Sequence, residues 1–222
     1  MHERIGNNKK LKIECLRLKG MLNIDDIQFI REMAGCYYDT KGHKYDGHLR
    51  YLDISGATLT NTDNKEVSIY PRDPSEYEGT PWPSAEAYIN DNGTPVAIFA
   101  YLYDMEEIVL PAKLKSIGDD AFIFCRSLKS INIPESVQKI GLRAFSNCNS
   151  LKSIYALNPQ GIGIKGKPFE EYTQSQCTLY VPEGSMDNYK RLEEWNAFNH
   201  IVEFSGQSEN SVASNKPMHT VL

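Results

Sequence analysis

The sequence predicts an α/β solenoid: a continuous parallel β-sheet on one face, irregular or short helical returns on the other, a helical cap at the N-terminal end and a strand–helix–strand cap at the C-terminal end. Three observations predict it. A 23-residue segment occurs twice in succession, Ile108–Ser130 and Ile131–Ser153. Each copy is entered through an alternation of apolar and polar residues that suits a short strand with one buried face. A proline then ends the strand, Pro111 in one copy and Pro134 in the next, because proline has no N–H for the ladder.

The two copies, IVLPAKLKSIGDDAFIFCRSLKS and INIPESVQKIGLRAFSNCNSLKS, share eleven identical positions. Ile117-Gly118 and Ile140-Gly141 read as a second inward side chain followed by a tight turn. Ala121-Phe122 and Ala144-Phe145 supply a small and a large core residue on the return path. One such unit cannot close its own core, whereas stacked units can, and a period of 20–29 residues is that of leucine-rich repeats.

Weaker rungs flank the pair. Stepping back 23 residues sets Phe99 under Phe122, Leu102 under Cys125 and Met105 under Leu128. A loosened unit begins at Ile154 and ends in the strand around Leu179, an interval of 25. Further upstream, LRYLDIS (Leu49–Ser55) repeats the strand pattern and reads as an isolated early rung.

Cys125 and Cys148 stand one period apart, so they fall on adjacent rungs about 5 Å from one another. That spacing makes a disulfide conceivable. Stacked core thiols are the favoured reading, since free cysteine is among the most buried residue types. The five cysteines, an odd number without a C-x-x-C pair, argue against a paired-cysteine zinc site and a disulfide framework.

The unit at Leu128–Ser150, L-K-S-I-x-I-P-x-x-V-x-x-I-G-x-x-A-F-x-x-C-x-S, closely resembles the BspA-like leucine-rich repeat. CTLYVPEGSMDNYKRLEEWNAFNHIVEF is similar to the usual ending of such proteins, and LKIECLRLKGMLNIDDIQFIREMAG to their opening strand and helix. The resemblance implies a non-enzymatic protein that is secreted or displayed on the surface of gut or oral anaerobic bacteria. It also implies an extracellular protein or glycan as partner, host matrix and plasma glycoproteins among them.

Taken in order, residues 1–57 hold the N-terminal cap and first rung, and 58–95 a proline-rich insertion. Residues 96–178 hold the repeats, 179–204 the C-terminal cap and 205–222 a polar tail, with one structural domain over 11–204. Asn23 or Asp25 caps a helix running through Ile27, Phe29, Ile30 and Met33, and Gly35 stops it. Cys36–His48 reads as a loop. The insertion carries five prolines and an Asn92-Gly93 turn that suggests one hairpin. Ser185 caps a C-terminal helix with Tyr189, Leu192 and Trp195 on one face. Ser205–Leu222 is polar and aperiodic, the pattern of a disordered tail or a linker.

Composition narrows the function. A net charge of −5 argues against a dedicated nucleic-acid binder. No apolar run of about 18 residues is present to span a membrane, and the polar start Met1–Lys10 lacks the h-region of a signal peptide, as in a mature or trimmed chain. Gly161-x-Gly163-x-x-Gly166 fits a dinucleotide fingerprint in form only, since Pro168 follows and no strand-to-helix context surrounds it. His43 and His48 with Asp39 and Asp46 form the one metal-like cluster, at a spacing that matches no common motif; a metal-dependent enzyme built on them is the remote alternative. No cofactor and no nucleophile–base pair is expected.

Recognition remains. Apolar strand residues point inward, so the alternate ones form columns on the outer sheet face. Tyr51, Asp53, Lys129, Asn132, Lys152, Tyr155 and Tyr180 are the candidate ligand-binding residues there, with Tyr155 and Tyr180 in one column on the last two rungs. Trp82, between two prolines, is the candidate in the insertion. The expected function is protein or glycan recognition through the sheet face; the alternative is a scaffold or spacer within a larger surface protein.

Overall fold

The computed structural model describes residues 5–35, 46–62, 65–69, 85–90, 93–205 and 219–221. After a one-turn helix α1 (Asn7–Lys10), strand β1 (Cys15–Leu22) leads into helix α2 (Ile24–Met33). Asn23 caps α2 in a reciprocal capping box with Asp26, and Gly35 at φ +70 follows its last turn. The buried face of α2 carries Ile27, Phe29, Ile30 and Met33, the residues the periodicity selects. Arg31 is buried as well. Its Nη1 donates to the carbonyls of Ile98 (3.1 Å) and Ala100 (2.7 Å), tying the cap to the first return of the repeat array.

Strands β2 (Tyr51–Leu59), β6 (Glu107–Val109), β8 (Ser130–Ile133), β10 (Ser153–Ala156), β12 (Thr178–Pro182) and β13 (His200–Phe204) follow β1 across one sheet. β14 (His219–Val221) adds at the far side of β1, giving eight strands in the order β13-β12-β10-β8-β6-β2-β1-β14, parallel at every pair. The solenoid fold is as the repeat predicts. The early rung is not isolated, however: Tyr51, Leu52 and Asp53 pair directly with Glu107, Ile108 and Val109, so the chain leaves the stack for the insertion and returns to the neighbouring position. The tail likewise contributes a strand that its polar, aperiodic sequence does not announce.

The insertion supplies β3 (Glu66–Ile69), β4 (Ala85–Ile89) and β5 (Pro95–Val96), an antiparallel sheet in the order β3-β4-β5. The expected hairpin joins β4 to β5. Gly93, at φ +71, donates its N–H to the Asn90 carbonyl at 2.8 Å.

The returns hold a second, smaller parallel sheet of β7 (Ser116–Ile117), β9 (Lys139–Ile140) and β11 (Gly163–Ile164). Beyond it, three successive returns each place two non-glycine residues in the left-handed region: Ala97 and Tyr101, Asp120 and Phe124, Arg143 and Asn147. The members recur at the 23-residue period. Their reversed hand turns alternate amides toward the next rung. Ala97, Phe99 and Tyr101 donate to the carbonyls of Asp119, Ala121 and Ile123, and Asp120, Phe122 and Phe124 donate to those of Leu142, Ala144 and Ser146. The left-handed strain is offset because these backbone groups are hydrogen-bonded rather than orphaned.

Inside, side chains form columns. Phe99, Phe122, Phe145 and Phe169 stack with centroids 5.2, 5.2 and 5.3 Å apart. Such pairs contribute about 0.5–1.5 kcal/mol each beyond their burial. Beside them the Cys125 and Cys148 thiols are buried and free, and each donates to a carbonyl, Phe99 at 3.1 Å and Phe122 at 3.2 Å. Burial, with Cys148 adding to it, pushes the Cys125 thiol well above its ordinary range.

After a short helix α3 (Glu171–Gln176), the C-terminal cap differs from expectation in one respect. In place of one helix there are two, α4 (Met186–Lys190) and α5 (Glu193–Asn196), broken at the extended Leu192. Residues 189 and 195 of a continuous helix would point about 120° apart around its axis. Both Tyr189 and Trp195 are fully buried, so the chain breaks between them. Tyr189 Oη then donates to the Asn158 carbonyl at 2.8 Å, and Trp195 Nε1 to the Ile162 carbonyl at 2.7 Å. Ser185 precedes α4 as expected but makes no capping bond; its hydroxyl donates to the Pro182 carbonyl instead.

Candidate binding surfaces

The strand register sorts the outer sheet face into two columns. One runs Tyr51, Glu107, Ser130, Ser153, Thr178, His200; the other runs Arg17, Asp53, Val109, Asn132, Tyr155, Tyr180, Val202. The two columns differ in chemistry from one end of the sheet to the other.

At the N-terminal end the polar groups are turned on one another. Arg17 Nε donates to Asp53 Oδ2 at 2.6 Å, and the Ser55 hydroxyl and N–H donate to Asp53 Oδ1 at 2.7 and 3.0 Å. Burial alone would push the Asp53 carboxyl up; the Ser55 bonds and Arg17 outweigh it and hold the group below 3.8. Asp53 thus lies in an outward column, as the alternation predicts, but it is only 6% exposed and its oxygens are taken up, so it is not presented to a ligand. Glu107, in the other column, is equally buried. Glu106 Oε2 accepts from Tyr51 Oη at 2.7 Å and from Lys129 Nζ at 2.5 Å, bridging two candidate residues across the β2, β6 and β8 rungs.

At the C-terminal end the face is aromatic. Tyr155 and Tyr180 stack at 4.6 Å with their planes 10° apart, and Phe204 meets Tyr155 edge-on at 5.9 Å. Burial, and secondarily Tyr180, raises the Tyr155 hydroxyl above its ordinary range. Val202, next in the column, is 44% exposed. The structure therefore brings the two predicted tyrosines together and adds Phe204 and Val202, which sequence reasoning missed. Their signal was the period-two spacing of FNHIVEF in the last strand. Asn132 is half-buried between Val109 and Tyr155 in the register, and Lys152 is exposed at the entry of β10. Trp82 lies outside the described residues.

The return side carries a depression of about 450 Å³, lined by Glu86, Tyr101, Asp120, Phe124, Arg143 and Glu170 among others. Asp120 and Arg143 form a two-point ion pair across it, both contacts at 2.8 Å.

Of the metal-like cluster, only Asp46 and His48 fall among the described residues. His43 and Asp39 lie outside them, and His48 Nδ1 sits 2.9 Å from the Leu11 carbonyl. No group of three or more His, Cys, Asp and Glu residues that could hold a metal occurs among the described residues. Gly163 of the formal glycine fingerprint falls in β11, paired in parallel with Lys139, with no helix following that strand directly. No helix of the described residues is long and apolar enough to cross a membrane.

Compared with known protein families, residues 95–193 match the BspA type leucine rich repeat region in six copies. The matched stretch starts at β5 and runs through the first turns of the C-terminal cap. No curated protein matches the chain.

Proposed function

From residues 95–193 being a BspA type leucine rich repeat region, we propose that this chain is a non-enzymatic recognition module of the bacterial surface or its surroundings, and that it binds an extracellular protein through the C-terminal half of its sheet face. A repeat-based binding or scaffold module is the reading the family supports. The observation that carries the finer statement is the cluster of Tyr155, Tyr180, Phe204 and Val202 at one end of a face that is polar elsewhere except at Val109. Aromatic side chains with a polar tip are enriched where binding energy concentrates.

The geometry favours protein over glycan. A sugar ring needs an open aromatic face, and here Tyr155 and Tyr180 cover one another while Asn132 and Val202 flank them in the column. What the pair presents is ring edges and hydroxyls beside an exposed valine, a surface suited to a polypeptide. Glycan recognition is the second reading, and it rests on the same two tyrosines.

The test is a binding panel of matrix proteins, plasma glycoproteins and mucins alongside a glycan array. A saturable protein partner is expected, with affinity reduced at least ~30-fold in the Tyr155→Ala/Tyr180→Ala double variant, two central aromatic truncations costing about 2 kcal/mol or more together. Far-UV circular dichroism checks that the variant keeps its fold. Binding that survives the double substitution removes this face from the proposal. Hits confined to the glycan array favour the second reading, and an empty panel favours the scaffold.

A further inference from the structure

The strand seated on β1 comes from the opposite end of the sheet. β13 ends at Phe204 on one edge, and β14 begins at His219 beyond the other, with seven inter-strand steps between them. At about 4.8 Å per step the ends of the connecting segment stand about 34 Å apart. The segment, residues 205–218, has fourteen residues. A polypeptide of that length reaches about 50 Å at full stretch but has a relaxed end-to-end distance of about 20 Å as an unconstrained coil. Closing β14 onto its own β1 is therefore possible, yet it needs a chain drawn well past its relaxed length. That lowers the effective concentration of the tethered strand to on the order of 1 mM.

We propose that the β1 edge is a strand-accepting site for a second copy of this chain: His219–Val221 of one molecule adds, in parallel, to Leu16–Leu18 of the next. The contacts are those already made within one molecule, where Leu16, Arg17 and Leu18 pair with His219, Thr220 and Val221. Main-chain hydrogen bonds supply the attraction, and they are indifferent to which molecule supplies the strand. What differs is the tether. Between molecules the connecting segment relaxes, so a copy present at a concentration near that of the tethered strand competes with it. The contact joins the tail of one chain to the opening strand of another. It is head-to-tail, and it either closes reciprocally as a swapped dimer or propagates. It lies at the other end of the sheet from Tyr155 and Tyr180, so its outcome is independent of the recognition face.

The experiment uses the full chain, a His219→Pro/Thr220→Pro variant and a synthetic peptide of residues 205–222. N–H groups of consecutive strand residues face opposite sides, so adjacent prolines remove one that faces β1 whatever the phase. Small-angle scattering from about 10 µM to about 1 mM should show the mass of the unaltered chain rising from one chain toward two, while the variant stays at one. Excess peptide should return the unaltered chain to the mass of one chain plus bound peptide. The labelled peptide should bind the variant, whose edge is open, at least ~10-fold more tightly than the unaltered chain. A mass that stays flat throughout, a rise shared equally by the variant, or a peptide that fails to bind the variant overturns the proposal. The peptide experiments on the unaltered chain keep the test valid should the variant misfold.

Discussion

Replacing Gly141 by alanine should loosen the stack more than any other single methyl-sized change in the central repeats. Gly141 opens the turn after β9, where the backbones of two rungs touch. A Cβ built there would stand 2.3 Å from Asp119 Oδ1, 2.5 Å from the Asp119 amide nitrogen and 2.6 Å from the Gly118 carbonyl carbon. The carboxylate can swing away, but the other two atoms are backbone, so the rungs must separate locally by about 1 Å to reach an ordinary contact. Two hydrogen bonds cross that gap: Gly141 N–H to the Ile117 carbonyl at 2.9 Å, and Leu142 N–H to Asp119 Oδ1 at 2.8 Å. Overpacking of this kind costs about 1–3 kcal/mol, and weakening two hydrogen bonds costs about 1 kcal/mol each, for a total of about 3–5 kcal/mol. With a urea slope of about 2.5 kcal/mol/M, the unfolding midpoint should fall by about 1–2 M. Gly163→Ala is the internal control. Its Cβ would meet a single atom, the Gln138 carbonyl oxygen, at 3.3 Å, and the expected cost is under about 1 kcal/mol. Equal midpoint shifts in the two variants would show that rung-to-rung backbone contact does not set the spacing of this solenoid.

Other expectations follow from the same geometry. Phe122→Ala empties the middle of the phenylalanine column and should destabilise the fold by about 3–5 kcal/mol in the same urea titration, because neighbours on both sides lose a stacked partner. In the folded protein at pH 8, the thiols of Cys15, Cys125, Cys148 and Cys177 should resist a thiol reagent that labels all four after unfolding. Burial shields them and pushes the Cys177 thiol up to about 12. Asp53 titrates below its unfolded value of 3.8, so its contribution to stability is present above that pH and is lost as the pH falls through the lower folded value. Thermal unfolding across pH 2–6 should show an acid limb that Asp53→Asn flattens.

Much of the architecture was legible because the core is periodic. A column such as Phe99, Phe122 and Phe145 can form only if the same residue class returns after each lap, so the 23-residue identity carried the fold and the stacked Cys125 and Cys148, while the Tyr155–Tyr180 column came from the looser 25-residue lap that follows. The cap helix was legible for a local reason, since Asn23 and Gly35 mark its ends chemically. What stayed hidden is what sequence pattern does not encode. The left-handed sites carry Ala97, Tyr101, Asp120, Phe124, Arg143 and Asn147, without the glycine that would have marked them, because rung-to-rung hydrogen bonds hold the backbone there. Asp53 was placed on the correct face, but its pairing with Arg17 from another strand depends on the register of β1 against β2, a tertiary fact. The break at Leu192 answers to the carbonyls that Tyr189 and Trp195 must reach. The pairing of β14 with β1 joins segments two hundred residues apart, and three residues carry no periodicity to read.

The way the ends are tied has a consequence for how such a protein can change length. Within Ile108–Ser153 each rung presents its neighbours with the same phenylalanine, the same thiol and the same donors on its return. A duplicated 23-residue lap placed between Ser130 and Ile131 would meet matching surfaces above and below. The termini offer no such freedom. Arg31 is fitted to the Ile98 and Ala100 carbonyls of the first return, and Trp195 and Tyr189 to the Ile162 and Asn158 carbonyls of the last. A lap added in the interior would leave both sets of cap contacts in place, whereas one added at either end would displace them. Longer relatives should differ from this chain in the number of middle laps while keeping both lids, and the aromatic face should travel with the last lap rather than with the count.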